Sequence, residues 1–475
     1  MRGLAFVVSL SVFICVYLWL IHSLFFALKV FSYMQINIGI LGLGTVGSGT
    51  VEVLRRNAAL LSERSGCDLK VVRIATRTPD KPRSIQVDRA LISDDVEAVL
   101  NDPAIHIVAE LIGGVDPARD YVTRALMSGK SVVTANKELI AKHGAELEAV
   151  ARKSGVELRF EGSVGGGIPL VAPLRESLVG NCVTQIMGVL NGTTNYILTK
   201  MTREGLDFDD VLREAQELGY AEADPTADVD GFDTAYKLSI LAGIAFNTPV
   251  SLDDILREGI RSVGARDIEY AREMGFVIKL IALGKRHDNG EIELRVHPAL
   301  LPEAHPLASV HDVFNGVLVH GDAVGDVMFY GRGAGGEPTA SAVVSDLAHI
   351  ARGLKRDKSN NVERGPARLD DAMSTHAAPE AAPFRDLAQV ESRFCVRMQV
   401  VDRPGMLAQI ATIFGDKGVS LDSIVQKKSD GETAEIFWMT HRTTQSSMTR
   451  SLQEFARVEA VREVSSVLRV EGESD

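Results

Sequence analysis

The residue best suited to acid–base chemistry is Lys237, which follows Asp233 by four positions. Residues 234–241 are otherwise largely apolar and typical of a helix, so the two side chains fall on one helical face. Desolvation beside such a helix lowers the pKa of a lysine, which suits proton exchange with a hydroxyl group bound nearby. The competing interpretation is a solvent-exposed ion pair without a chemical role.

Several carboxylates precede this helix. Residues 215–225 end an earlier helix at a glycine and then turn sharply. The acids after that glycine are Glu222, Asp224, Asp228 and Asp230. Carboxylates in such a group can accept hydrogen bonds from an ammonium or a hydroxyl group.

A second constellation, Gly42-Leu43-Gly44-Thr45-Val46-Gly47, lies between an apolar strand at 36–41 and a helical pattern at 48–54. In such a unit the first glycine permits a tight turn, the second lets a pyrophosphate approach the backbone, and the third allows close helix packing. With the phosphates on the helix N-terminus, we predict dinucleotide binding by Gly42, Gly44, Thr45, Val46 and Gly47. A plain glycine turn is the alternative.

The next strand, at 69–75, indicates which dinucleotide binds. It ends in Thr76-Arg77-Thr78, with no acid for a ribose hydroxyl. Because Arg77 could pair with a 2′-phosphate, the sequence favours NADP over NAD, and a solvated arginine is the alternative.

Further strands at 105–112 and 131–134, with a crossover helix at 118–128 between them, predict an α/β fold with a Rossmann-type doubly wound parallel sheet. Ligands in such sheets bind outside the carboxyl ends of the strands. Lys137 follows one of these ends, so its ammonium could hold a cofactor or substrate oxygen.

The remaining pattern predicts an inserted α+β domain and a separate C-terminal domain. A glycine-rich segment followed by Pro338 opens a helix that returns the chain to the nucleotide domain. A linker rich in Asp, Lys, Ser, Pro and Ala follows, and then a strand-helix-strand-strand-helix-strand order. The predicted divisions are an apolar extension at 1–33, a nucleotide domain at 34–164, a substrate domain at 165–330, a return segment at 331–353, a linker at 354–390 and a regulatory domain at 391–475.

The run from Ala215 to Lys237 resembles the signature of the homoserine dehydrogenase family. The likeness extends through residues 133–137, 160–169, 191–197 and 331–336. It implies NAD(P)-dependent interconversion of L-homoserine and L-aspartate 4-semialdehyde, in threonine, methionine and isoleucine biosynthesis. It also implies that Glu222 and Asp233 bind homoserine and that Lys237 is the general acid/base. Lys137 would lie near both nicotinamide and substrate, which leaves open which lysine moves the proton.

The same resemblance implies three further properties. Gly335 would contact the cofactor, and the protein would form a homodimer or homotetramer. A monovalent cation, expected to be sodium, would bind the carboxylate and carbonyl oxygens of Glu161, Val164, Gly166 and Ile168. This cation would be structural rather than catalytic.

The C-terminal element order, with its Asp402-Arg403-Pro404-Gly405 turn, resembles the ferredoxin-like ACT domain, an amino-acid-sensing module. Backbone amides at a helix start can receive a carboxylate. By resemblance to threonine-regulated relatives, we expect L-threonine to lower activity by binding near Asp402, Gly405, Met406 and Leu407, between paired domains. A dimerisation module without a ligand is the alternative.

Composition argues against other classes. The net charge of −12 leaves no basic stripe for nucleic acid, and the four cysteines show no paired spacing, which fits a reducing cytoplasm.

Residues 4–33 are almost continuously apolar, but a buried strand follows almost at once, so we favour a start at Met34 over a membrane anchor. An NADP-binding amino-acid sensor and another semialdehyde or hydroxy-acid dehydrogenase are the competing functions; for the latter, Cys182 lacks an active-site motif.

Overall fold

The computed structural model describes residues 33–83, 85–359, 382–429 and 431–472. The question of a start at Met34 or an anchor concerns residues 1–32, and most of the predicted linker is residues 360–381; both segments lie outside the described residues. Within the described part of the chain, no helix is both long and apolar enough to cross a membrane.

The nucleotide domain is built on six parallel strands in the order β3-β2-β1-β4-β5-β6. Helices cover both faces, so Ile36, Ile38 and Ile40 of the central strand are fully buried. The strands are β1 (Met34–Leu41), β2 (Cys67–Ala75), β3 (Ile92–Ser93), β4 (Ile107–Glu110), β5 (Ser131–Thr134) and β6 (Leu158–Arg159). The helices are α1 (Thr45–Arg56), α2 (Ala58–Ser65), α3 (Glu97–Leu100), α4 (Ala118–Met127) and α5 (Lys137–Ser154).

The inserted domain packs helices on a mixed sheet whose order is β12-β11-β7-β9-β10. Its strands are β7 (Val183–Val189), β8 (Leu256–Arg257), β9 (Phe276–Arg286), β10 (Ile292–Pro302), β11 (Phe314–Gly321) and β12 (Gly325–Arg332). Its helices are α6 (Gly192–Glu204), α7 (Phe208–Glu217), α8 (Thr226–Val229), α9 (Phe232–Ala245) and α10 (Ala265–Glu273). Nine of the fourteen residues of α9 are buried, so its polar side chains lie inside the protein.

The chain leaves and re-enters the nucleotide domain along two adjacent segments. Gly167 on the outgoing segment donates its N–H to the Arg332 carbonyl on the returning one, at 3.1 Å. Helix α11 (Gly336–Ser359) then packs on α1 so closely that a Cβ on Gly49 would lie 2.6 Å from the Gly336 carbonyl oxygen. This helix continues six residues past the predicted return segment, into the region expected to be linker.

The C-terminal domain has the predicted element order, and its sheet joins that of the substrate domain. Strand β17 pairs in parallel with β10, so both domains share one eleven-stranded sheet. The end of the predicted linker is also fixed there, since Pro383 and Arg385 exchange backbone hydrogen bonds with Ile292. The elements are β13 (Glu391–Val401), α12 (Met406–Asp416), β14 (Leu421–Ser429), β15 (Thr433–Thr440), β16 (Thr443–Thr444), α13 (Gln445–Phe455) and β17 (Val461–Val470).

Candidate active site

The glycine turn after β1 has the shape that a dinucleotide requires. Gly42 has a φ of +99°, and a Cβ there would lie 2.6 Å from the Leu111 carbonyl oxygen. A Cβ on Gly47 would lie 2.1 Å from the Gly42 carbonyl oxygen, so only glycine allows α1 to pack this close. Around Gly44, in contrast, no protein atom lies within 4 Å of the Cβ position. The open space is therefore at the glycine expected to face the pyrophosphate.

The start of α1 suits an anionic group. The helix begins at Thr45 without a side-chain cap and without an acid in its first turn, so the N–H groups of residues such as Val46 present partial positive charge to an anion. Gly335, with a φ of +119°, precedes Gly336, whose Cβ position is 3.1 Å from the Thr45 carbonyl oxygen. Gly335 thus lies beside the glycine turn.

Three arginines, Arg77, Arg83 and Arg89, follow β2, where the adenosine ribose binds in such folds. Arg77 is exposed. Arg83 was not predicted from the sequence to have a role. Its guanidinium connects the glycine turn to the segment after β2. Its Nε donates to the Leu43 carbonyl at 3.1 Å, and its terminal nitrogens donate to the Thr78 and Lys81 carbonyls at 2.9 and 2.8 Å. A fixed positive charge therefore lies at this end of the site.

A buried polar chain positions Lys137 at the first turn of α5. Glu110, fully buried at the end of β4, accepts a 2.6 Å hydrogen bond from the Thr134 hydroxyl. Burial raises the pKa of Glu110, although its hydrogen bonds oppose the shift. The Thr134 hydroxyl also accepts the Asn136 N–H at 3.0 Å, and the Asn136 side chain caps α5 by accepting the Leu139 N–H at 3.1 Å. Lys137 is held at the carboxyl edge of the sheet as predicted.

Asp233 and Lys237 form a buried pair on α9, not an exposed one. Lys237 is 7% exposed and Asp233 only 3%. Lys237 Nζ donates to Asp233 Oδ2 and to the Leu190 carbonyl, both at 2.7 Å. An ammonium has three N–H donors, so one remains after these two contacts.

Asp233 also contacts Lys137, which comes from the other domain. Its Oδ1 accepts from Lys137 Nζ while its Oδ2 binds Lys237. Burial lowers the pKa of Lys237, and the Lys137 charge adds to this against the attraction of Asp233. Burial works against the charge on Lys137 also, but the neighbouring carboxylates outweigh it and hold the pKa of Lys137 above its ordinary value. The two lysines are thus shifted in opposite directions.

Asn191 and Asp228 complete this cluster and were not assigned roles from the sequence. Asn191 Nδ2 donates to Asp228 Oδ1 at 2.6 Å and to Asp233 Oδ2 at 2.8 Å. Burial and the charge of Asp233 raise the pKa of Asp228. Glu222 is exposed, at the mouth of the same cluster, where its charge helps to raise the pKa of Lys137. The signal for Asp228 was its place in the acidic run, whereas Asn191 is distant in sequence.

The candidate cation ligands lie where the chain enters the substrate domain. Gly165 and Gly166 have φ values of +71° and +56°, which fold the loop back on itself. Among the described residues, no hydrogen bond engages the carbonyl oxygens of Val164, Gly166 or Ile168. The Glu161 carboxylate accepts three N–H groups, from Leu170, Val171 and Ala172, at 2.6 to 2.9 Å. The oxygen donors fit a hard monovalent cation, and the three amides also give Glu161 a role without one.

The candidate effector residues surround the start of α12. Gly405, with a φ of +89°, precedes the helix, which has no acid in its first turn. Met406 is buried, whereas Leu407 is 41% exposed. Asp402 donates its N–H to the Glu432 carbonyl at 3.0 Å, which fixes the turn to the β14–β15 connection.

A parallel sheet with an open glycine turn, and a buried lysine at the domain cleft, define a nicotinamide-dependent oxidoreductase. Family models match residues 42–161 ("Homoserine dehydrogenase, NAD binding domain"), 169–348 ("Homoserine dehydrogenase") and 396–460 ("ACT domain"). The chain belongs to the homoserine dehydrogenase family, is an oxidoreductase acting on a CH–OH group, and carries an NAD(P)-binding domain and a C-terminal ACT domain. Membership of this family argues against the competing functions, an NADP-binding amino-acid sensor and another semialdehyde or hydroxy-acid dehydrogenase.

Three relatives illustrate the match. A homoserine dehydrogenase from Synechocystis is 48% identical over 442 residues, which cover 92% of this chain and 100% of the relative. A crystal structure of a homoserine dehydrogenase from Thiobacillus denitrificans has a TM-score of 0.82 at 42% identity, covering 92% of this chain and 98% of the other. A hyperthermophilic archaeal homoserine dehydrogenase in complex with NADPH has a TM-score of 0.57 at 30% identity, covering 68% and 98%.

The glycine turn yields a matched pair of variants. Gly44→Ala places a methyl group in open space, so we expect normal folding but NADPH affinity lowered about tenfold or more, because the methyl group occupies the pyrophosphate position. Gly47→Ala forces a methyl group against backbone, so we expect a loss of stability of about 1–3 kcal/mol or more. Thermal unfolding and fluorescence titration with NADPH separate the two effects. Wild-type NADPH affinity in Gly44→Ala would contradict this placement of the cofactor.

Proposed function

We propose that this protein interconverts L-homoserine and L-aspartate 4-semialdehyde in threonine, methionine and isoleucine biosynthesis, with Lys237 as the general acid/base. The observation that carries the proposal is the contact of buried Asp233 with both the buried Lys237 and the half-exposed Lys137. Two N–H donors of Lys237 are used within the protein, so the third can reach a substrate oxygen. The lowered pKa of Lys237 also makes its neutral amine form more accessible near neutral pH than that of an ordinary lysine.

The surrounding residues divide the remaining work. Asp233 orients both lysines with its two oxygens, which limits its capacity for direct contact with homoserine. Asp228 and Glu222 then supply the carboxylates that bind the α-ammonium group, while Asp233 lines the substrate site and holds the two lysines. Lys137 keeps its charge and stabilises negative charge on the substrate oxygen as the bond order changes. The nicotinamide, when bound, accepts or supplies the hydride.

The proton-transfer role is tested with Lys237→Arg. Arginine can keep the ion pair with Asp233 but does not lose a proton near neutral pH. We expect kcat for homoserine oxidation to fall about 10²–10⁴-fold, as when a general acid/base is removed, with intact NADPH binding. In the wild type, oxidation should rise with pH as Lys237 loses its proton, with an inflection below the ordinary lysine pKa. Near-normal turnover in Lys237→Arg, with loss in Lys137→Arg, would transfer the role to Lys137.

We further propose that NADP is preferred over NAD. Arg77 contributes to this preference, and so does Arg83, whose position beside the glycine turn became clear only from the structure. Arg77 is exposed and able to pair bidentately with a 2′-phosphate, while Arg83 places a fixed charge beside it. The archaeal relative solved with NADPH is consistent with this preference.

Cofactor preference can be measured as the ratio of kcat/KM with NADP to that with NAD. We expect Arg77→Gln to lower this ratio about tenfold or more, since charge-assisted hydrogen bonds to phosphate are lost, and Arg83→Gln to lower it less. Arg89→Gln is the control, because Arg89 lies in the same connection but pairs with Asp80. An unchanged ratio in both Arg77→Gln and Arg83→Gln would refute the assignment.

A structural sodium ion is proposed at Glu161, Val164, Gly166 and Ile168, on the strength of the carbonyl oxygens left without hydrogen bonds in that loop. It would stabilise the entry into the substrate domain rather than take part in chemistry. We therefore expect a higher melting temperature in sodium than in a large organic cation at equal ionic strength. Equal melting temperatures would contradict the proposal.

L-Threonine is proposed as the effector, with its carboxylate at the start of α12 near Asp402, Gly405, Met406 and Leu407, between ACT domains of a homodimer or homotetramer. The uncapped helix start and the exposed Leu407 support this position.

We expect millimolar L-threonine to inhibit homoserine oxidation and to release or absorb heat in isothermal titration of the full chain. Asp402→Ala should weaken the inhibition at unchanged basal rate. The absence of threonine heat at millimolar concentration would leave the ACT domain as a dimerisation module.

A further inference from the structure

Residues 256–261, the segment that contains β8, lie directly against the loop that carries the site carboxylates. Ile260 donates its N–H to the Val229 carbonyl at 2.8 Å. A Cβ on Gly259 would lie 2.4 Å from that carbonyl oxygen and 2.7 Å from the Asp230 Cα, so the two backbones touch without an intervening side chain. Displacement of this segment therefore displaces residues 228–233.

Arg257 fixes the same loop through its side chain. Its Nη1 donates to the Asp230 carbonyl at 2.5 Å, and its guanidinium lies 3.4 Å from the centre of the Phe232 ring. Asp228 precedes these contacts and Asp233 follows them. Arg257 thus holds the backbone between two carboxylates of the site, and Arg261 of the same segment donates to Asp230 Oδ1 at 2.6 Å.

The other side of the segment is held by the ACT domain. Glu258 accepts a bidentate pair from Arg469 of β17, at 2.7 and 2.9 Å, and the Arg469 side chain is only 4% exposed. Glu258 also donates its N–H to Val296 of β10, the strand to which β17 is paired. A buried guanidinium strongly favours keeping its carboxylate partner, because an unpaired charge there is costly.

We propose that residues 256–261 are a positioning element through which the ACT domain sets the placement of Asp228 and Asp233. Arg469 positions Glu258, and the adjacent Arg257 and Gly259 position the acidic loop. None of these contacts reaches Lys137 or Lys237 directly, so we expect the segment to act first on homoserine binding, and any effect on proton transfer would pass through Asp233. This inference rests on the proposed substrate role of Asp228.

The test uses the full chain with Glu258→Gln, Arg469→Lys and the double variant, measured by initial rates. We expect each single variant to raise the KM for homoserine about fivefold or more at unchanged KM for NADP, within the range usual for coupled sites. The double variant should show less than the product of the two effects, because both changes break one interaction. Tyr270→Phe is the control: it removes a 3.1 Å hydrogen bond to Glu435 at the same domain interface but away from the segment.

Further measurements keep the outcomes distinct. Arg257→Lys retains the charge but loses the planar group over Phe232, so it should raise the homoserine KM even if the Glu258 variants unfold. Unchanged homoserine KM in Arg257→Lys and in folded Glu258→Gln, while Asp228→Asn raises it, would overturn the inference alone. An unchanged homoserine KM in Asp228→Asn would overturn the proposed substrate site itself. An equal rise in Tyr270→Phe would indicate general loosening of the interface and would also overturn the inference.

Discussion

The sharing of one buried carboxylate by two ammonium groups is the constraint on which this site depends. Asp233 is removed from water, and a carboxylate there requires cationic partners. Lys237 is supplied by the same helix, but Lys137 comes from the nucleotide domain. The ion pair therefore fixes the distance between the two domains at the point where the cofactor and the substrate must meet. The contacts of Asp233 that place the substrate domain therefore also set the electrostatic environment of Lys237.

Local signals in the sequence were sufficient for part of this arrangement. The glycine turn could be predicted because Gly42 and Gly47 meet nearby backbone and Gly44 leaves room for a ligand, and the Asp233–Lys237 pair because helical periodicity brings residues four apart together. The contact of Lys137 with Asp233 joins residues 96 positions apart, and no local pattern encodes it. Arg83 was missed for a related reason, since an arginine in an irregular connection carries no sign of the carbonyls around it.

The sequence also did not predict that the sheets of the substrate domain and the ACT domain join. Strand β17 has the ordinary pattern of an ACT strand, and its parallel pairing with β10 follows only from the docking of the two domains. That docking combines apolar packing with buried ion pairs: Arg397 pairs with Asp267, and Arg295 with Glu471, in a region from which water is largely excluded. Such pairs stabilise the interface only when every partner is in place, so they favour one docking geometry over others more than they add to stability.

The double connection between the nucleotide and substrate domains has a mechanical consequence. The outgoing and returning segments run side by side and are joined by the Gly167–Arg332 hydrogen bond, with Gly166 close against the backbone of Gly333. Two adjacent tethers favour rotation about the line that joins them over sliding of one domain along the other. An opening of the cleft by that rotation would separate Asp233 from Lys137, and closing would re-form the same ion pair.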